Sequence, residues 1–580
     1  MQSPTLLKNL NDLKITPNLT EYVSQSQPQW DSLAKDIPSF SEGIKHITYH
    51  CLDFHLMQST KDKEALLFWN KEDMKESYTY ADLATLSNKF AHVLSTQEVV
   101  KGDRVCIFLP TIPERLVTFL GTLRTGAIVL PLFAAFQEMA LLDRLKDSEA
   151  KVVVTTHELY PRIHKIMHNL PHLKKIIIIQ RGSFEMPTGD QIVSYNEYMA
   201  EAPDVYISPE ILPTDPAFML YTSGTTGKPK GIIHTHKDVI GAAVTSKYVL
   251  DLHEDDIYWC TADLGWVTGV VYGVIGPLTL GVTTVGYEGR FSATNWYSVL
   301  EKSNVSVWYT APTAIRMLMG SETTPSDYHF PALRLLASVG EPLNPEGIWW
   351  GLEKFGLPFH DTWWQTELGC ICITNFASMD IKPGSMGKPF PGIKAAILDD
   401  DGEVLPTGQE GMLALDKTTI QPLMDAIWKN SEKYQSYFHN NWYLSGDRAY
   451  QDEDGYFWFV GRADDIINTS GERVGPFEVE SALVAHPDVV EAGVIGYPDE
   501  LRGEIVMACV VLKPNITPSD ELIKDIEIFV KQHLSGYAYP RKIVFVDKLP
   551  KTRSGKIMRR VLKARVLGLP EGDTSTLEEY

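Results

Sequence analysis

Between residues 80 and 179, stretches with helical apolar spacing alternate with uninterrupted apolar runs at 105–109, 127–132, 152–155 and 176–179. Such runs have no polar face to turn to water, so each must be covered on both sides, and the intervening helices can cross over and cover them. The pattern predicts βα units feeding a parallel sheet. It recurs at 218–221, 305–309, 333–338 and 357–360, which places parallel-sheet layers over most of the first 400 residues. The run 394–398, the turn Asp399-Asp400-Asp401-Gly402 and the run 411–415 predict an antiparallel β region instead. Beyond Gly461 the pattern restarts, with strands at 494–497, 505–512 and 543–546 and a helix at 519–533, which predicts a small α+β unit. A chain of 580 residues exceeds one ordinary core, in keeping with several packed units, and no repeat of fixed period is present.

Charge narrows the partners. Lys and Arg number 53 against 74 Asp and Glu, a formal charge of −21 that repels phosphate backbones and anionic lipid. Nucleic acid and membrane are therefore not expected partners. No apolar stretch approaches the ~20 residues of a membrane span and no basic-then-apolar leader opens the chain, so a cytoplasmic location is expected. The six cysteines lack C-x-x-C or metal-ligand spacing and read as reduced thiols. Cys370 and Cys372 alternate with Ile371 and Ile373 as they would in a strand.

The apolar run Phe218-Met219-Leu220 leads into Tyr221-Thr222-Ser223-Gly224-Thr225-Thr226-Gly227-Lys228-Pro229-Lys230-Gly231. Glycines let backbone N–H groups approach phosphate oxygens, hydroxyls add donors, and Lys228 and Lys230 add positive charge, so the loop suits a polyphosphate, most simply ahead of a helix. It is not a Walker A loop: Pro229 follows Lys228 where Ser or Thr is needed, and Thr222 takes the place of the first Gly.

This loop resembles the signature of the adenylate-forming enzymes, the family of acyl-CoA synthetases, luciferases and peptide-synthetase adenylation domains. Six further motifs stand in that family's order: Gly340-Glu341-Pro342, Asp361-Thr362-Trp363-Trp364-Gln365-Thr366-Glu367, Gly384-Ser385-Met386-Gly387-Lys388-Pro389, Ser445-Gly446-Asp447, Gly461-Arg462-Ala463-Asp464-Asp465, and Pro550-Lys551-Thr552-Arg553-Ser554-Gly555-Lys556. Within the family, Trp363-Trp364 together with Trp266-Val267-Thr268-Gly269 resemble the acetyl-CoA synthetases, particularly the shorter bacterial type.

The resemblance implies ATP with Mg²⁺ and CoA as ligands, and acetate as the acid, with propionate left open as a second substrate. It implies an N-terminal adenylation domain over 1–463 and a mobile C-terminal domain over 464–580, hinged at Asp464. Lys556 becomes the catalytic lysine that bridges the attacking carboxylate and the α-phosphate. ATP and AMP contacts fall to Thr222, Ser223, Gly224, Thr225, Thr226, Gly227, Lys230, Gly340, Glu341, Pro342, Asp361, Thr362, Trp363, Trp364, Gln365, Thr366, Asp447, Arg462 and Arg473. Asp447 is suited to the two ribose hydroxyls by its two acceptor oxygens. Glu367 is implied to hold Mg²⁺, and Val484, His486 and Val489 match a structural metal loop.

The acetate pocket falls to Val267, Thr268, Val339 and Trp364, whose indole fills the volume a longer acid needs. Thr268, Ser470, Gly471 and Lys531 match positions on the CoA route, whereas Ser292 replaces a usual Asn and Leu368 a usual Thr. Similar enzymes also imply a lysine acetyltransferase and a deacetylase as partners acting on Lys556.

Overall fold

The computed structural model describes residues 4–22, 30–182, 184–223, 229–469, 472–499, 502–534, 538–552, 555–572, 574 and 577. Its strands assemble into four sheets, two large and mainly parallel and two of five strands.

The eight-stranded sheet takes up the first apolar runs. Arg104–Leu109, Ile128–Phe133, Val152–Thr156 and Lys175–Ile179 lie side by side in parallel, with Val105 opposite both Val129 and Val152. Nearly every residue in them is buried on both faces, which is why their sequences do not alternate. The covering helices carry their own signals. Tyr80–Thr96 begins with a reciprocal capping box between Thr79 and Asp82, and Pro113–Arg124 begins on a proline whose missing N–H needs no partner there.

The nine-stranded sheet positions the site. Thr283–Tyr287, Ile257–Cys260, Val307–Thr310, Leu335–Ser338 and Phe359–Trp363 run parallel in that spatial order. All their carboxyl ends therefore open on one edge, the place where α/β sheets bind ligands. The turns that leave this edge carry Thr261, Ala311, Val339-Gly340-Glu341 and Trp364.

The third sheet is antiparallel, built from Ala395–Leu398, Gly411–Asp416, Trp442–Gln451, Phe438–His439 and Phe457–Arg462, as the turn-rich sequence predicts. After Arg462 the chain makes one 3₁₀ turn, Ala463–Asp465, and enters the fourth sheet at Ile467–Thr469. There Val489–Asp499 and Gly503–Leu512 form a long antiparallel pair, Lys542–Phe545 adds in parallel, and the helices Pro476–Val484 and Asp520–His533 help close a separate core around Val479, Leu483, Val494, Val510 and Ile526. The architecture is thus a large α/β and β unit followed by a small α+β unit.

Two local expectations fail. The phosphate-type loop does not lead into a helix. It joins Pro216–Ser223 to Pro229–Thr235 in an antiparallel pair, with Ser223 opposite Pro229 and Leu220 opposite Ile232. Ile232, Ile233 and Thr235 are β-branched and buried between neighbouring strands, which favours strand over helix. Cys370 and Cys372 do not alternate across a strand either. The strand is only Ile373–Thr374, and Cys370, Ile371, Cys372 and Ile373 are all buried, because this segment threads the core rather than lying on a face. All six thiols are free. No helix of the described residues is long and apolar enough to cross a membrane.

Candidate active site

The segment 361–367 leaves the carboxyl edge of the nine-stranded sheet and meets the third sheet at Asp447. This carboxylate is 4 % exposed. Its Oδ1 accepts from Arg462 Nη1 at 2.8 Å, and its Oδ2 accepts from Trp363 Nε1 at 2.9 Å and Gln365 Nε2 at 3.1 Å. Gln365 is held in turn by the Ser445 carbonyl at 2.9 Å and the Tyr443 hydroxyl at 2.7 Å. Arg462 and Asp447 face each other because their strands pair in register at that point.

Asp361 is buried one strand residue earlier. Ser338 Oγ donates to its Oδ1 at 2.5 Å, yet loss of water pushes its carboxyl up to about 7. Thr362 turns the other way, donating to the Ser338 carbonyl at 2.7 Å and meeting the Tyr309 hydroxyl at 2.7 Å. The carbonyl of Thr366 accepts from His234 at 2.7 Å, which ties the segment to the strand after the phosphate-type loop.

At the far end of the segment Glu367, 8 % exposed, accepts from the Tyr437 hydroxyl at 2.9 Å and lies 3.2 Å from Lys230 Nζ. Lys230 also sits over the Tyr437 ring, 4.6 Å from its centre. Burial lowers the Lys230 pKa, and the Glu367 carboxylate opposes that shift. Thr222, opposite Lys230 on the paired strand, has its Oγ1 buried without a hydrogen-bond partner among the described residues. A carboxylate oxygen and an unpaired hydroxyl next to a lysine form a donor set that fits a magnesium–phosphate group. Gly224, Thr225, Thr226, Gly227 and Lys228, and the side chains of Ser223 and Arg473, lie outside the described residues.

The wall Gly340-Glu341-Pro342 opens with a left-handed turn, Gly340 at φ +99°, and a Cβ there would meet no atom within 4 Å. That leaves a bare backbone face of the kind a flat ring can approach. Glu341 accepts from Arg316 Nη2 at 2.9 Å and from the Thr313 N–H at 3.1 Å.

Val267 and Val339 are buried in the main core, with Trp364 packed against that core and Thr268 8 % exposed in the helical turn Val267–Val270. The Trp364 indole stands edge-on to Tyr272 at 5.0 Å and 89°. Tyr272 is fixed by Thr245 Oγ1 at 2.7 Å and by the Ile371 N–H at 2.6 Å. A rigid aromatic floor results.

Lys556 comes from the fourth-sheet unit and enters this cleft. Its side chain keeps access to solvent in the cleft although protein crowds around it. The cleft walls strip water from the ammonium and lower its pKa, the Arg462 guanidinium pushes the same way, and Asp447 opposes them. The lysine thus shares its surroundings with the Asp447–Arg462 pair. Asp464 is exposed in the turn between the third and fourth sheets.

The other expected positions that are described sit within the fourth-sheet unit. Lys531 pairs with Glu527 at 2.8 Å and lies 4.0 Å from the centre of the Tyr539 ring, on the helix Asp520–His533. Ser470 and Gly471 lie outside the described residues. Val484, His486 and Val489 span the end of one helix and the start of the next strand, where His486 faces Asp525 Oδ2 at 3.3 Å and accepts from the Asp488 N–H at 3.2 Å. Among the described residues no group of three or more His, Cys, Asp or Glu gathers as a metal cluster. Sequence reading misses Tyr437, Tyr443, Ser338, Thr313 and Arg316, which share no motif and reach the site only through the fold.

A bare glycine wall at the carboxyl edge of one sheet, a phosphate-type loop from a second, and an acidic–basic pair from a third near an incoming lysine define a nucleotide-handling, group-activating enzyme. The chain belongs to the AMP-binding enzyme family, whose model matches residues 54–421, with the AMP-binding enzyme C-terminal domain matching 478–556. It is 51 % identical over 541 residues to an acetyl-coenzyme A synthetase of Bacillus subtilis (strain 168), covering 93 % of each chain. An acetyl-coenzyme A synthetase of Methanothrix thermoacetophila is 42 % identical, with 93 % of this chain and 85 % of the relative covered. Among solved structures, the anthranilate CoA ligase AuaEII in complex with anthranoyl-AMP superposes with a TM-score of 0.83 at 30 % identity, over 92 % of this chain and 99 % of the other.

Proposed function

We propose that this chain is an AMP-forming acetate–CoA ligase. An acetate oxygen attacks the α-phosphorus of magnesium-bound ATP and diphosphate leaves. The CoA thiol then attacks the acetyl carbonyl carbon, and AMP leaves with the C–O bonding pair. Full-length similarity to acetyl-coenzyme A synthetases supports the substrate. The observation that carries the chemistry is that Lys556 lies within electrostatic reach of the Asp447–Arg462 pair.

In this reading the Lys556 ammonium offsets charge on the acetate and the α-phosphate as the pentacoordinate state forms, where preorganised donors act most strongly. Asp447 and Arg462 hold the ribose, the Gly340 wall takes the adenine, and Lys230, Thr222 and the loop through Lys228 take the phosphates. Glu367 would hold the magnesium carried by ATP. Trp364 over Tyr272 limits the acid to two or three carbons. Thr268, Ser470, Gly471 and Lys531 serve CoA once the unit 464–580 turns on the hinge at Asp464, with 1–463 as its fixed partner.

A lysine with a lowered pKa in an open cleft is also a better acceptor for acylation, so acetylation and deacetylation of Lys556 would switch adenylation off and on. A cytoplasmic location fits the six free thiols.

A panel of short, branched and aromatic acids with ATP and CoA, read as AMP and thioester, tests the reading. Acetate should give the highest kcat/KM. No AMP with any short acid would refute the ligase, and AMP without thioester would point to a different acceptor.

A further inference from the structure

Lys556 depends on a seat that no motif names. Thr313, 5 % exposed, is the second residue of the helix Pro312–Met319 that leaves the sheet edge after Val307–Thr310. Gly555 rests against it at φ +87°, so closely that a Cβ on Gly555 would lie 2.3 Å from Thr313 Cβ. On its other side the turn is clasped by Thr552, whose Oγ1 accepts the Lys556 N–H at 3.1 Å and whose N–H donates to the Lys556 carbonyl at 2.8 Å. The position of the Lys556 backbone is therefore set by two threonines, one from each unit.

Thr313 Oγ1 has more partners than its single proton can serve. It accepts from Arg316 Nη2 at 2.7 Å. Two acceptors then lie within donor reach, the Gly555 carbonyl at 2.8 Å and Glu341 Oε1, which is closer still. A hydroxyl donates once, so the proton serves one of them at a time. Glu341 already accepts from Arg316 and from the Thr313 N–H, but with no nucleotide on the wall its charge also draws the hydroxyl proton, and the Gly555 carbonyl is left without its donor. A donor group of a nucleotide resting on the Gly340-Glu341-Pro342 wall competes for Glu341 and releases the proton to Gly555. Arg316 links the same wall to the incoming unit through Glu491, at 3.7 Å.

We propose that Thr313 is a positioning residue whose hydroxyl couples occupation of the Glu341 wall to the seating of the Gly555–Lys556 turn. The proposal rests on the adenylation reading above, and it confines the role of Thr313 to the first half-reaction, the step that uses Lys556.

Thr313→Val keeps the shape and removes the hydroxyl, and Thr313→Ser restores it. Each is assayed for acetate-dependent exchange of diphosphate into ATP, and separately for thioester formation from supplied acetyl-adenylate and CoA. Thr313→Val should lower kcat for exchange about five- to tenfold, the size of one lost hydrogen bond between neutral groups in the transition state. Thioester formation should stay within about twofold of the parent, and Thr313→Ser should recover most of the exchange. If the parent itself exchanges no diphosphate with acetate, the ligase reading fails. If the parent exchanges and Thr313→Val does so at the parental rate, or loses both halves equally, the coupling is wrong. Should Thr313→Val not fold, Gly555→Ala disturbs the same seat from the other side. Selective loss of exchange in that variant supports the proposal, and parental exchange overturns it.

Discussion

Trp363 donates its indole N–H to Asp447 Oδ2 at 2.9 Å, joining two motifs 84 residues apart. Gln365 fills the rest of that oxygen, so Oδ2 is saturated, while among the described residues Oδ1 receives only Arg462 and keeps an acceptor site. A ribose hydroxyl is therefore directed to Oδ1. Trp363→Phe removes one hydrogen bond to a buried charge and lets the carboxylate rotate. AMP binding measured by calorimetry should weaken about tenfold, as expected for ~1.5 kcal/mol. Unchanged affinity would show that the indole does not orient Asp447.

In the proposed reaction Lys556 acts through its charge, so exchange of diphosphate should fall as pH rises through its pKa. Desolvation, followed by Arg462, brings that pKa below the ordinary 10.5 of lysine. The alkaline limb of the kcat/KM profile for exchange should therefore lie below the normal lysine range. Lys556→Arg, which stays charged, should lose this limb at whatever rate it retains, and Lys556→Ala should lose exchange but largely keep thioester formation from supplied acetyl-adenylate. An identical limb in Lys556→Arg would assign the titration to another group.

Asp361 should make stability depend on pH with an unusual sign. Its carboxyl is raised by burial from 3.8 to about 7 in the folded protein, so between those values the native state holds a proton that the unfolded chain has released. Stability from this group is full below the unfolded value and is lost as pH rises towards 7, by up to ~4 kcal/mol. Asp361→Asn keeps an acceptor for Ser338 without the charge. Its Tm relative to the parent should rise from pH 5 to pH 8, and a difference that does not change with pH would refute the raised carboxyl.

Trp364 stands edge-on to Tyr272, so Trp364→Gly should open the floor without loosening Tyr272, which Thr245 and Ile371 hold independently. The ratio of kcat/KM for pentanoate over acetate should increase by at least about tenfold, the lower end of what pocket volume gives per methylene. An unchanged ratio would remove Trp364 from the pocket.

Much of this molecule was legible in its residues. Uninterrupted apolar runs such as 152–155 can only be strands covered on both faces, so the parallel layers follow from local pattern. Lys556, Asp447, Glu367 and the Gly340 wall stand in ordered motifs that mark a family, because their chemistry tolerates few replacements. The phosphate-type loop was legible as chemistry but not as geometry. The same glycines and hydroxyls can precede a helix or a strand, and the choice fell to Ile232 and Ile233 burying themselves between neighbouring strands.

What the chain determined by itself was therefore the order of its elements and the candidates for its chemistry, since periodicity and side-chain chemistry are properties of neighbours in sequence. Only the tertiary structure decided that Thr313 meets the Gly555 carbonyl beside Lys556, that Tyr437 holds Glu367, and that three donors converge on Asp447. Hydrogen bonds and charge pairs between distant segments leave no period and no spacing behind them. They exist once the sheets have packed and brought those atoms within 3 Å or so of one another.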